Sequence, residues 1–223
     1  DIVSRSAYIF TNAEPLIDFA HPTLHRVVDL GGLGAKAPVP VDKYWDGVLS
    51  LREKTVLLSF GSVAHSVTMT PPTKQAILQM VRNLPHVTFI WKYENLEDSF
   101  AKEDASRVEN LVMSKWTPQN DLLNDPRVSV FISHGGMGSV QETSLRGVPT
   151  LLVPLFGDQP RNAAMMEHNG LGKVFDKFDM DNADKFTAAV RELIEDTRFR
   201  ENAVHSSRQP SVPPRPSVRP PTT

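Results

Sequence analysis

The chain has 223 residues, of which 22% are charged, with a formal net charge of −2 and no cysteine. A charge so close to zero excludes a broad basic surface for nucleic acid or an anionic membrane, so any bound phosphate must be held by a few local groups. The lack of cysteine excludes disulfides, thiolate metal sites and a cysteine nucleophile.

Residues 1–54 predict the end of a preceding domain and a linker. Their apolar pieces, at 7–10 and 27–30, are short and are interrupted by prolines and glycines. The chain starts at Asp1 without a leader pattern, and it contains no apolar run of the roughly 20 residues that span a bilayer. We therefore expect a chain that is soluble as written and incomplete at its N-terminus.

Residues 55–204 predict one α/β domain. Apolar runs typical of buried strands alternate with helical patterns, and these runs occupy residues 55–60, 87–91, 111–114, 128–133 and 150–153. A helix is expected to open at Pro71, with Thr70 as its N-cap. This alternation indicates parallel strands joined by right-handed crossovers. The predicted fold is a doubly wound, Rossmann-like parallel sheet that binds ligands beyond the carboxyl ends of its strands.

The C-terminal part of the chain divides into a helix and a tail. The last expected helix covers residues 182–194, with Asp181 or Asn182 as its cap. From residue 205 the composition changes to Ser, Pro, Arg and Thr, which predicts a disordered Pro-rich tail over 205–223. Residues 210–215 fit a P-x-x-P-x-R pattern, typical of polyproline II segments that dock in aromatic grooves.

The most informative stretch joins a predicted strand to a helix through His134, Gly135 and Gly136. Glycines allow the backbone to approach a ligand closely, and the free N–H groups and dipole of a helix start attract an anion such as a diphosphate. The ring N–H of His134 and the hydroxyl of Ser139 can donate to phosphate, and the carboxylate of Glu142 can accept from ribose hydroxyls. An ordinary glycine turn with a satisfied histidine is the alternative.

Two further motifs follow predicted strands. Trp116 stands between a strand and a short helix that is expected to have Thr117 as its cap and Pro118 in its first turn. Its flat face is then available to a base, with a core tryptophan as the alternative. Asp158 and Gln159 follow the strand at 150–153 and combine an acceptor with a mixed donor and acceptor, which suits adjacent sugar hydroxyls. A helix cap at Asp158 is the alternative for that pair.

These three motifs, in this order and each behind a strand, resemble the nucleotide-sugar signature of the UDP-glycosyltransferase superfamily, which includes the UDP-glucuronosyltransferases. The resemblance implies that the ring of Trp116 stacks on uracil and that Gln119 contacts the nucleoside. It also implies that the carboxylate of Glu142 holds the ribose.

The same resemblance assigns the phosphates and the donor sugar. It implies that His134 and Ser139 hold phosphate, and that Asp158 and Gln159 hold the sugar. The strand end before Ser62 is similar to the family's phosphate-facing loop, which makes Ser62 a further candidate, with an ordinary turn serine as the alternative.

The resemblance implies that residues 55–204 are the C-terminal, donor-binding half of the two-domain GT-B architecture. The expected reaction transfers a hexosyl or glucuronosyl group from a UDP-sugar co-substrate to a small lipophilic acceptor, without a metal or other cofactor. The family's catalytic base lies in its N-terminal domain, and neither His21 nor His25 matches that motif, so the isolated chain is expected to be inactive. A UDP-sugar epimerase and a non-catalytic nucleotide-sugar-binding fragment are the alternatives.

For full-length members of this family the resemblance implies the endoplasmic reticulum membrane, on its lumenal side. Membrane contact is then expected only through segments absent from this chain, and nucleic acid is not an expected partner. A homodimer is compatible with the resemblance. The identities of the sugar and the acceptor do not follow from the sequence.

Overall fold

Two short strands and two helices form the N-terminal part of the computed structural model, which describes residues 2–14, 17–32 and 35–208. Helix α1 (Ile2–Arg5) precedes strand β1 (Ile9–Thr11), which pairs in parallel with β2 (Val27–Asp29). Helix α2 (Lys43–Leu49) begins after Asp42, whose side chain accepts a hydrogen bond from the Trp45 amide. Strands β1 and β2 form a sheet of their own, so the segment predicted as a linker also contains paired strands. The domain boundary at residue 54 stays a prediction.

A six-stranded parallel sheet forms the centre of the fold. Its strands are β3 (Lys54–Ser59), β4 (Val87–Lys92), β5 (Leu111–Ser114), β6 (Val128–Ser133), β7 (Thr150–Leu152) and β8 (Gly172–Val174). They lie in the order β5-β4-β3-β6-β7-β8, and every neighbouring pair is parallel. The five predicted strands and the doubly wound, Rossmann-like class are confirmed, whereas β8 has no counterpart among the predicted strands.

Helices connect strands of this sheet, and within the described part of the chain two more follow its last strand. In chain order they are α3 (Pro71–Arg82), α4 (Gln119–Asn124), α5 (Met137–Arg146), α6 (Gln159–His168), α7 (Ala183–Glu195) and α8 (Thr197–Ser207). Short 3₁₀ turns lie at Ser66–Thr68, Ala105–Arg107 and Lys177–Asp179, and a π-helical turn lies at Phe100–Asp104. The predicted cap Thr70 accepts from the Thr73 amide ahead of α3, and Asn182 rather than Asp181 caps α7.

Apolar side chains cover both faces of the sheet. Val56 and Leu58 of β3 pack with α3 and α7, whereas Leu57 between them packs with α2 and α4. Because successive side chains of a strand point to opposite faces, this division buries the sheet on both sides. Each fully buried leucine or phenylalanine contributes about 1.5–3 kcal/mol, which is why the strands are continuous apolar runs in the sequence.

The C-terminal helix α8 extends beyond the domain boundary predicted at residue 204. Asp196 caps this helix by accepting from the Arg198 amide at 3.0 Å, and Ala203 is buried in a cluster that includes Val140 of α5. Residues 205–207 are helical, so the predicted tail starts too early. The remainder of that tail, including the proline pattern at 210–215, lies outside the described residues. Within the described ranges, no helix has both the length and the apolar character needed to cross a bilayer.

Candidate active site

A cleft of about 520 Å³ opens at the carboxyl ends of the central strands. Ser59 and Lys92, the last residues of β3 and β4, form part of its wall. This is the edge at which a doubly wound sheet is expected to bind its ligand, and the volume suits a small molecule. Four of the residues predicted from the motifs line the cleft: Ser62, Trp116, Gln119 and Glu142.

Trp116 presents its ring to the cleft rather than to the core. Its side chain is 74% exposed, so the alternative of a core tryptophan is wrong, and Trp91 of β4 is instead fully buried. The Ser114 hydroxyl donates to the Trp116 carbonyl at 2.7 Å, which fixes the backbone behind the ring. The ammonium of Lys92 lies 5.8 Å from the ring centroid. A large exposed aromatic face at a cleft is suited to stacking on a planar ligand.

Three of the predicted polar side chains meet in one hydrogen-bonded group. The side-chain amide of Gln119 at the start of α4 donates to the Glu142 carboxylate at 2.6 Å and to the Ser139 hydroxyl at 3.2 Å, both on α5. The predicted cap Thr117 is wrong: it is buried, and Pro118 occupies the cap position, so α4 begins one residue later than expected, at Gln119. The carboxylate of Glu142 retains further acceptor sites for ligand hydroxyls.

His134 lies between two glycines that are far apart in the sequence. A Cβ atom at Gly136 would stand 2.5 Å from its Nε2 atom, and one at Gly61 would stand 2.7 Å from its Cε1 atom. Both distances are shorter than any normal contact, so the imidazole ring occupies the space that side chains would fill. The sequence pattern predicts that Gly136 lets a ligand approach closely, but in the structure this glycine first of all makes room for the imidazole ring. Gly135, with φ of 81°, requires the left-handed conformation.

The environment of His134 favours the neutral imidazole. Burial lowers its pKa below the ordinary value, the nearby cation of Lys92 lowers it further, and the carboxylate of Asp158 opposes both. Its Nδ1 atom is buried and makes no hydrogen bond within the described part of the protein. A neutral imidazole carries one N–H donor and one acceptor nitrogen, so it can donate one hydrogen bond to an anion.

The N-terminus of α5 lies beside His134. Gly136 occupies the cap position, and no side chain in the described ranges caps this helix. The first N–H groups of a helix lack partners within the helix, and the helix dipole places partial positive charge at the same end. Together with the half-buried hydroxyl of Ser139, these groups form a set of donors suited to phosphate oxygens.

Asp158 and Gln159 lie outside the wall of the cleft, at the start of α6. The Gln159 side-chain oxygen accepts from the Leu155 and Phe156 amides at 2.8 and 3.0 Å, and the residue is buried. Asp158 is exposed and occupies the cap position of α6, but its carboxylate accepts from Asn162 rather than from a helix amide. The Gln159 side chain therefore holds the loop that precedes α6. The sugar contacts of both residues stay predictions.

Two parts of the cleft have no counterpart among the motif residues. Lys92 carries a cation at the end of β4, and residues 36–39 of the linker form the wall beside α4. Asp121 accepts from the Val39 amide at 2.9 Å, and Arg146 donates to the Lys36 carbonyl at 2.8 Å. In the sequence, a lysine at the end of an otherwise apolar strand could have indicated Lys92 as a site residue. Nothing local in the sequence indicates the linker wall.

The fold defines the class of the protein as a Rossmann-like domain of the GT-B glycosyltransferase architecture. It is similar to the solved structure of the glycotransferase of kitacinnamycin, with a TM-score of 0.65, 22% sequence identity, and coverage of 91% of this chain and 50% of that chain. Residues 1–215 match the family model described as UDP-glucoronosyl and UDP-glucosyl transferase. The chain belongs to this family, and the resemblance seen in its motifs is confirmed.

Individual relatives agree with the family match. The chain is 34% identical over 198 residues to the Caenorhabditis elegans protein ugt-55, provisionally named a UDP-glucuronosyltransferase, which covers 89% of this chain and 38% of the relative. It is 31% identical over 210 residues to UDP-glucuronosyltransferase 3A1 of Mus musculus, covering 92% and 39%. The chain thus spans less than half the length of these relatives.

Proposed function

We propose that this chain supplies the donor site of a UDP-sugar glycosyltransferase that transfers a hexosyl or glucuronosyl group to a small lipophilic acceptor. The observation that carries the proposal is the meeting of two separate motifs, the Trp116 segment and the glycine turn with its helix, at one sheet edge. This edge carries an exposed ring at Trp116, a carboxylate at Glu142 and, beside His134, a helix start that no described side chain caps. These groups suit the base, the ribose and the diphosphate of a nucleotide, respectively.

At the nucleoside end, the uracil ring stacks on Trp116 and the ribose hydroxyls donate to Glu142. Base stacking on an aromatic side chain is worth about 1–3 kcal/mol. The hydrogen bond from Gln119 holds the Glu142 carboxylate in place before the ligand arrives. Such preorganisation reduces the ordering cost of binding.

At the diphosphate end, the α5 N-terminus and the neutral ring of His134 donate to phosphate oxygens. Negative charge develops on this diphosphate as the bond to the sugar breaks, and fixed donors stabilise that charge without reorganisation. The donors need no bound cation for this role, so we propose a reaction without a metal or other cofactor. Asp158 and Gln159, next in space to the glycine turn through Asn162, contact the sugar.

The acceptor hydroxyl needs a general base, which typically contributes 10²- to 10⁴-fold to the rate. We propose that this base and the acceptor pocket belong to the rest of a full-length protein. His21 is an exposed residue whose ring contacts the carbonyl of Phe19, within its own turn. On the family alone we further propose a lumenal, membrane-associated location in the endoplasmic reticulum for the full-length protein, with a homodimer as one assembly.

Calorimetric titration of the chain with uridine, UDP and ADP tests the donor site. UDP is expected to bind and ADP to bind more weakly, and Trp116→Ala is expected to weaken uridine and UDP together by about 1–3 kcal/mol. The matched control is Phe178→Ala, which removes an aromatic ring that is 80% exposed. This control should leave both affinities unchanged.

Unaltered uridine affinity in the Trp116 variant would contradict the proposed stacking. Equal affinity for UDP and ADP would contradict uracil recognition and favour a general nucleotide-binding module. Conversion of UDP-glucose to UDP-galactose by the chain would identify the epimerase alternative.

A further inference from the structure

Lys92 is a nearly buried cation at the wall of the cleft. It ends the strand β4, in which the five preceding residues are all buried, and it is itself only 9% exposed. Bringing a charged group out of water is costly unless it is paired and hydrogen-bonded. A lysine at this position therefore calls for an anionic partner.

The protein provides little of that pairing. Within the described residues, the Lys92 ammonium donates to the carbonyl of Gly61, and the nearest carboxylate oxygen, on Glu94, is 4.0 Å away. The Glu94 carboxylate also accepts from the Val67 amide at 3.1 Å. An ammonium has three N–H donors, so donors remain after the bond to Gly61.

The carboxylates that line the cleft already accept hydrogen bonds from other groups. Asp121 accepts from the Val39 amide, and Glu142 accepts from Gln119. Neither forms an ion pair with Lys92, because among the described residues no carboxylate lies closer to its ammonium than that of Glu94. An anionic group of a bound ligand would supply the missing negative charge.

The position of Lys92 selects which part of the ligand this is. On one side, its ammonium is 5.8 Å from the Trp116 ring centroid. On the other side, it donates a hydrogen bond to the carbonyl of Gly61, the residue that lies against the His134 ring. A ligand group at Lys92 would therefore lie between the base and the sugar. The ribose and the diphosphate occupy that part of a nucleotide sugar, and of these two only the diphosphate is anionic. A uronate carboxylate would lie beyond the diphosphate, farther from the tryptophan.

We propose that Lys92 binds the diphosphate of the nucleotide donor as a direct ligand, from the side opposite the α5 N-terminus. This inference rests on the proposed donor site and adds a residue to it. The terminal phosphate of free UDP has a second ionisation at about pH 6, so UDP carries about one more negative charge at its diphosphate than a UDP-sugar does at neutral pH. Lys92 therefore holds the product more strongly than the substrate.

The test compares Lys92→Met, Lys92→Gln and Lys92→Arg by calorimetry with uridine, UDP and UDP-glucose. Methionine and glutamine should each weaken UDP binding about 10- to 100-fold, UDP-glucose less, and uridine by no more than about twofold. Arginine, which keeps the charge, should retain most of the affinity. Glutamine can still donate to the Gly61 carbonyl but carries no charge. A loss of UDP affinity in Lys92→Gln would therefore come from the missing charge and not from a loosened loop.

Lys74→Met is the matched control. The Lys74 ammonium also donates to a backbone carbonyl, that of Val67 at 2.8 Å, and lies 5.2 Å from the Tyr93 ring centroid, but it does not line the cleft. This variant should leave UDP affinity unchanged. Thermal melting of every variant checks folding, and the salt dependence of UDP binding to the unaltered chain gives a readout that needs no variant.

UDP affinity that survives both neutral substitutions would overturn the role of Lys92, and so would UDP binding that is insensitive to salt. A larger loss for UDP-glucuronate than for UDP would also overturn it and place the sugar carboxylate at Lys92. If uridine still binds through Trp116 in these outcomes, the donor site stands and only this inference fails. If the unaltered chain binds neither uridine nor UDP, both fail together.

Discussion

Replacing His134 by alanine should weaken UDP binding by about 1.5–3 kcal/mol while leaving uridine binding nearly unchanged. The ring occupies the gap between the backbones of Gly61 and Gly136, beside the start of α5. Uridine has no phosphate, so we expect it to make no contact with this ring.

The magnitude follows from the state of the ring. Burial lowers the His134 pKa, so the ring is neutral near pH 7 and contributes one N–H donor rather than a full charge. A hydrogen bond from a neutral donor to a charged acceptor is worth about 1.5–3 kcal/mol, which equals roughly one to two decades in the dissociation constant. His134→Gln, which keeps an N–H donor, should lose less affinity than alanine.

Calorimetry with UDP and uridine measures both affinities, and thermal melting reports any loss of packing around the empty gap. His86→Ala is the matched control, because this exposed histidine precedes β4 at the opposite, amino end of the strand. Equal weakening of UDP and uridine by His134→Ala would refute the phosphate role. So would unchanged UDP affinity in a variant that melts normally.

Three other predictions follow from the same site. Gly136→Ala should displace the His134 ring, weaken UDP binding and destabilise the fold by about 1–3 kcal/mol, measured by calorimetry and urea unfolding, whereas Gly47→Ala, with open space around it, should do neither. Because folding lowers the pKa of His134, its contribution to the free energy of unfolding should be constant above about pH 6.5 and should fall as the pH drops toward the folded-state pKa. His134→Gln should lose less stability over this range, and parallel pH profiles of the two proteins would contradict this. The isolated chain should bind UDP-sugar but transfer no sugar to a panel of phenols and sterols, because general base and acceptor alignment are supplied elsewhere; robust turnover would refute this.

The sequence predicts the sheet well because its strands are buried on both faces. Segments such as Val128–Ser133 are continuous apolar runs, and glycines, prolines and caps mark where each one ends. β8 escapes this reasoning because its three residues, Gly172–Val174, include a glycine and a lysine. α8 escapes it because its polar surface leaves Ala203 as the single fully buried side chain among its described residues.

The candidate site divides in the same way. Trp116, His134 and Glu142 can be predicted because each belongs to a local motif at a strand or helix end. The contacts of His134 with Gly61, and of Arg146 with the Lys36 carbonyl, join segments that are far apart in the chain, so no local pattern encodes them. Predicting a role for Lys92 requires knowing that β4 ends beside the cleft, and that position depends on the order of the strands in the sheet.

A single titration tests the central claim most directly, namely that this cleft holds a uridine nucleotide with the base at Trp116 and the diphosphate at the start of α5. In ¹H–¹⁵N spectra of the labelled chain, UDP should shift the indole N–H of Trp116 together with the backbone amides of Gly61, Gly136 and Met137. Uridine should shift the indole N–H and leave the three amides nearly unmoved. Shifts that spare both the Trp116 indole and these three amides, or no shifts at millimolar UDP, would contradict this claim.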